Sequence, residues 1–174
     1  MSVARVSCMS TRASIRGHPV HAMLISIPIG LFVFSFVADL AFLVTGDARW
    51  DTVADFSLAG GVVGGLIAAV PGFIDYFGLT DPKARSTATA HMILNLLLVA
   101  VAAFNTWLRF NRDLELFPLM ISAATLIGLV VSGALGGHLV HVLGVSQPGN
   151  EQTSGVEKLS RAREGRADAT YRSG

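Results

Sequence analysis

Cysteine is almost missing from this chain of 174 residues: Cys8 stands alone, so no disulfide can form within the molecule and no Cys/His cluster is available for an iron–sulfur centre. Charge is scarce as well. Only 14% of residues are Asp, Glu, Lys or Arg, and a net charge of +1 gives no basic surface of the kind nucleic acid requires. Catalytic motifs are absent too, with no Ser/His/Asp order, no phosphate loop and no zincin helix, so the sequence points away from an enzyme.

What the chain has is apolar length. Hydrophobic residues make up 52%, mean hydropathy is +0.57, and the apolar residues fall in long blocks separated by short polar ones, the pattern of a membrane protein. These blocks predict spans from about Ala22 to Thr45, Ala54 to Tyr76, Thr87 to Leu108 and Leu116 to Leu143. At about 1.5 Å per residue each crosses a hydrocarbon layer of about 30 Å. The first exceeds a signal-peptide core and no small-residue cleavage site follows it, so it is expected to be retained. Short connections, Gly46 to Val53, Phe77 to Ser86 and Arg109 to Glu115, make neighbouring helices antiparallel. The expected fold is therefore all-α, an integral-membrane up-down-up-down four-helix bundle over residues 17–145. It is flanked by a polar arm, 1–16, and a charged tail, 146–174, expected to be disordered apart from one marginal helical turn near Val156 to Arg163.

In this topology the two termini and the middle connection share one side. That side holds Arg5, Arg12, Arg16, Lys83, Arg85, Lys158, Arg161, Arg163, Arg166 and Arg172, against Arg49, Arg109 and Arg112 on the other. Positive charge stays in the cytoplasm, which predicts that both termini are cytoplasmic. All five histidines then lie at the cytoplasmic end: His18 and His21 before the first span, His91 opening the third, His138 and His141 closing the fourth.

Helical phase groups polar residues further. His21 and Asp39 fall on one stripe with Pro28 and Ser35, and His91, Asn95 and Asn105 on another, so both stripes should face the bundle interior. Asp75 joins them at the histidine level, while Asp39 is expected to accept a hydrogen bond from Asn105 or a backbone donor at the outer end. Transport ranks low, because no charge sits at mid-bilayer. Gly60, Gly61, Gly64 and Gly65, and Gly133 with Gly137, have the spacing of small-residue helix contacts, and secondarily could make room for a flat macrocycle. Pro28 and Pro71 should loosen their helices and leave carbonyls for another donor.

Taken together, His18-Pro19-x-His21, Pro28-x-Gly30, Pro71-Gly72-x-x-Asp75, Ala90-His91-x-x-x-Asn95, Gly136-Gly137 and Leu143-Gly144-Val145 resemble the four-helix membrane proteins of domain-of-unknown-function family 2231. The resemblance covers Arg16 to Val145. It implies a bacterial inner-membrane protein, with relatives sometimes fused to Rieske-type iron–sulfur domains. The chain departs from the family pattern at His138 and His141, so the resemblance is firmest at His18, His21, Asp75, His91 and Asn95.

Three functions compete. A b-type haem could take two axial imidazoles from among His21, His91 and His141, with Asn95 in support and Arg16, Lys83 or Arg85 near the propionates, for electron transfer with a respiratory or redox partner. A non-haem zinc or iron could be held by His18, His21, Asp75, His91, His138 and His141 in some combination. A structural or accessory subunit would need no cofactor, its polar groups joining helices within the lipid bilayer or across a homo-oligomer.

Overall fold

The computed structural model describes residues 13–15, 18–111 and 116–145. Four stretches are long and apolar enough to cross a membrane: Val20–Thr45, Ala48–Gly78, Pro82–Asn111 and Leu116–His141. The arm to Arg12, Arg16 and the tail with its expected helical turn lie outside the described residues.

The first stretch is broken at Ile25 into α1 (Val20–Leu24) and α2 (Ser26–Thr45). Pro28 explains the position, since it has no N–H for the carbonyl of Leu24 four residues back. By contrast α3 (Ala48–Gly78) runs through Pro71 unbroken. It is followed by α4 (Pro82–Asn111) and α5 (Leu116–His141).

The helices outrun the apolar blocks because polar residues cap them beyond the hydrocarbon. Gly46, at φ 68°, ends α2 in the left-handed conformation that glycine adopts freely. Asp47 then accepts the Arg49 N–H and starts α3 ahead of the predicted Ala54. Asp81 accepts the Ala84 N–H at 2.8 Å, with Pro82 pre-set at the first helical position of α4. At its other end α4 passes Leu108 and carries Arg109 on its last turn.

Packing closes a ring: α2 lies on α3, α3 on α4, α4 on α5 and α5 back on α2. The outer surface is a continuous apolar band that includes Val37, Val63, Leu97 and Val130, as lipid contact demands. Inside, Phe32, Leu58 and Ala102 pack together, and the Ser35 hydroxyl donates to the Ala54 carbonyl between α2 and α3. Two glycines set the approach of helices. A Cβ at Gly61 would come within 2.6 Å of the Phe32 ring, and one at Gly128 within 2.4 Å of Leu98 Cδ2. Gly133 and Gly137 differ from their expected packing role: no atom lies within 4 Å of a Cβ built on either. Both line the cavity described below, Gly133 exposed and Gly137 half-buried.

One feature has no counterpart in the hydropathy pattern. Residues before α1 form a short antiparallel pair, β1 (Ser14–Ile15) with β2 (His18–Pro19). The Ala13 N–H donates to Asp75 Oδ1 at 2.8 Å, fastening this strap to the end of α3.

Candidate functional site

A cavity of about 350 Å³ occupies the half of the bundle nearest the strap. Its wall is mostly aliphatic, and its polar groups are few: His21, His91, Asn95, Asp75 and Tyr76. A largely apolar pocket with a few converging polar groups is the usual form of a small-molecule site.

His21 projects from α1, and its Nδ1 lies 2.8 Å from the Ala68 carbonyl of α3, in the turn that precedes Pro71. The imidazole thus bonds the carbonyl next to that of Ile67, the one that Pro71 leaves without its helical donor. His91 projects from α4, with Nδ1 3.0 Å from the Ser132 carbonyl and 3.2 Å from the Ser132 hydroxyl, both on α5. A carbonyl oxygen only accepts, so both imidazoles carry their proton on Nδ1 and leave Nε2 as a lone pair. For His21 no partner of Nε2 exists among the described residues. For His91 the Asn95 amide approaches Nε2 at 3.2 Å while donating to the His91 carbonyl at 2.7 Å.

The two rings stand 6.5 Å apart between centroids and are perpendicular, at 89°. Glycine makes room for each: a Cβ at Gly72 would lie 2.9 Å from His21 Nδ1, and one at Gly136 would lie 3.2 Å from His91 Cε1. At the mouth, the Arg85 guanidinium sits 5.5 Å from the centroid of the Tyr76 ring, and Tyr76 also bonds Thr89 at 3.0 Å.

The other candidate positions are distributed differently. His138 and His141 are exposed at the end of α5, His18 is exposed on β2, and none of them lines the cavity. Lys83 is exposed in the first turn of α4. Among the described residues, no group of three or more His, Cys, Asp or Glu could hold a metal ion.

A second polar cluster lies where α2 and α4 end and α3 and α5 begin. Here Asp39 is corrected: its carboxylate receives both terminal nitrogens of Arg109, at 2.7 and 2.6 Å, and not the Asn105 amide. The reason is the added turn of α4, which puts Arg109 one turn beyond Asn105 on the same inward stripe. Asp55 of α3 takes a third contact from Arg109 at 3.2 Å, and the Ser122 hydroxyl of α5 a fourth. Asn105 donates to Ser122 Oγ and to the Pro118 carbonyl. The guanidinium is only 5% exposed. Counting Arg109 as a connection residue hid this network from the sequence, although its spacing from Asn105 was the available signal.

A family model described as predicted membrane protein (DUF2231) matches residues 17–148. No curated protein and no solved structure matches the chain.

Proposed function

We propose that this chain, which belongs to the DUF2231 family of predicted membrane proteins, binds one b-type haem in the cavity between its helices, which His21 and His91 would hold. The observation that carries this is the pair of imidazoles lining one cavity, each with Nδ1 on a backbone carbonyl, so that Nε2 is the nitrogen left for a metal. The two rings stand 6.5 Å apart between centroids and line the same cavity, so both would be within reach of one iron. Carbonyls behind the Nδ1 protons orient both ligands, as metal-bound histidines require. His91 would give up its Nε2 contact with Asn95 to hold the group, while Asn95 still donates to the His91 carbonyl.

The void beside Gly133 and Gly137 supports a flat macrocycle, because no side chain fills it. Arg85 beside Tyr76 supplies a cation for a propionate. Bound haem would supply one-electron chemistry, and this end of the bundle faces the cytoplasm of a bacterial inner membrane, with both termini on that side. Supporting that orientation, Arg109 is matched by two carboxylates and adds little to the positive charge of the outer face. The electron partner is a respiratory or redox protein of the same membrane.

A reduced-minus-oxidised absorption spectrum of the full chain, purified in mild detergent from haem-supplemented cells, tests this. Sharp α and β bands lost in both His21→Ala and His91→Ala, and kept in His18→Ala, His138→Ala and His141→Ala, are expected. A featureless spectrum would overturn haem binding and leave the two imidazoles as joints between α1 and α3 and between α4 and α5, which their carbonyl bonds already make them.

A further inference from the structure

Among the described residues the outer cluster is short of one positive charge. Asp39 and Asp55 share a single guanidinium, and the side chains are 8%, 17% and, for Arg109, 5% exposed. Uncompensated charge in such surroundings is strongly disfavoured, so the site must gain a cation or lose an anion. Its hydrogen bonding is incomplete as well. Asn105 is fully buried, yet its Oδ1 has no donor, and the Arg109 Nε–H has no acceptor. Asn105 Oδ1 calls for a donor and the Arg109 Nε–H for an acceptor, so the cluster has room for a further hydrogen-bonding partner.

We infer that this cluster is a proton-binding site, with one proton resident on the Asp55 carboxyl. The two carboxylates are not equivalent. Asp39 is held by a two-pronged contact with both terminal nitrogens of Arg109, the geometry that best stabilises an ionised carboxylate. Asp55 has one longer contact, at 3.2 Å, so it loses least on becoming neutral. The groups around it confirm the balance of charge: Asp39 from α2, Arg109 from α4 with neutral Asn105 beside it, neutral Ser122 from α5, and Asp51 one turn away on α3 itself. Among the described residues no second cation reaches the cluster. A proton on Asp55 makes the triad neutral and turns an acceptor-only group into a donor. Because Asp55 is the most exposed of the three and lies near the start of α3, its proton exchanges with the side of the membrane where that helix begins.

Infrared spectroscopy of the full-length protein in nanodiscs, without added haem, tests the proposal independently of the cavity. At neutral pH the wild type should show the C=O stretch of a buried carboxylic acid, shifted in heavy water. Asp55→Asn should abolish it. Asp39→Asn should abolish it too, because Asp55 then ionises to become the counter-ion of Arg109 and the fold is kept. The wild-type band should also disappear on raising the pH, with a fall in thermal midpoint that Asp55→Asn does not share. No acid band in the wild type, or a band that survives either substitution, would overturn the proposal. So would a thermal midpoint that rises with sodium at fixed pH, since a metal cation would then occupy the site.

Discussion

At the scale of single residues, glycine does more here than bring helices together. Gly72 and Gly136 are the seats of the two imidazoles, and Gly61 is the seat of Phe32, so the same residue type serves the cavity in one half of the bundle and close packing in the other. Their substitutions should separate. Gly72→Ala puts a methyl 2.9 Å from His21 Nδ1, which displaces the ring from the Ala68 carbonyl and turns its Nε2 away from His91. The haem spectrum should fall severalfold in amplitude while helical content holds. Gly61→Ala instead drives a methyl to 2.6 Å from an aromatic ring in the core, an overpacking that costs about 1–3 kcal/mol. Its thermal midpoint should drop, with the spectrum retained in whatever fraction stays folded. Equal effects of the two on spectrum and stability would count against a dedicated seat for His21. The packing role of Gly61 was legible in its spacing, whereas the imidazole seats at Gly72 and Gly136 were not. The spacing of Gly133 and Gly137 matches the helix-contact pattern, yet these two face empty space, because helix rotation decides what a glycine meets and a period alone does not set rotation.

At the scale of elements, the apolar blocks announced the helices and their interior stripes, while the polar ends were decided by caps. Pro28 and Pro71 show the limit of a residue rule: each removes one N–H, but the first breaks its helix at Ile25 and the second sits in an unbroken one. The carbonyls they leave without a donor are those of Leu24 and Ile67, and the His21 imidazole bonds Ala68, beside the second of these. Arg109 escaped for the complementary reason, that a charged residue after an apolar run reads as a connection until a cap further on shows that the helix continues. The cap at Asp47 has a pH signature. Its side chain accepts the Arg49 N–H and pairs with the Arg49 guanidinium, which holds the carboxyl below its ordinary 3.8. A carboxyl lowered on folding stabilises the helix start above its unfolded value and loses that effect as pH falls through the folded one. Hydrogen exchange at the first amides of α3 should therefore quicken as pH drops below about 4 relative to mid-helix amides. Asp47→Asn should keep the cap and remove that dependence; an unchanged dependence in the variant would assign it to another group.

At the scale of the whole molecule, the two polar sites divide the bundle. The imidazoles and their cavity lie at the end where the strap, α3 and α5 finish, and the charged triad lies where α3 and α5 begin, with the apolar cluster of Phe32, Leu58 and Ala102 between them. If the two proposals hold, which end meets the cytoplasm decides whether electrons are exchanged inside the cell and protons outside it, or the reverse. Cys8, the single cysteine, offers a direct measurement. With cytoplasmic termini, a membrane-impermeant maleimide should label Cys8 in inverted vesicles and spare it in intact spheroplasts. In a Cys8→Ser background, Thr80→Cys between α3 and α4 should behave in the same way. Ala48→Cys at the start of α3 should react from the opposite side. Thr80 and Ala48 are both exposed, so a failure to label would not come from burial in the bundle. If the pattern were inverted throughout, the distribution of Lys and Arg would have misled, and the haem would face the exterior. Labelling of Thr80→Cys and Ala48→Cys from the same side would break the antiparallel order on which both sites depend.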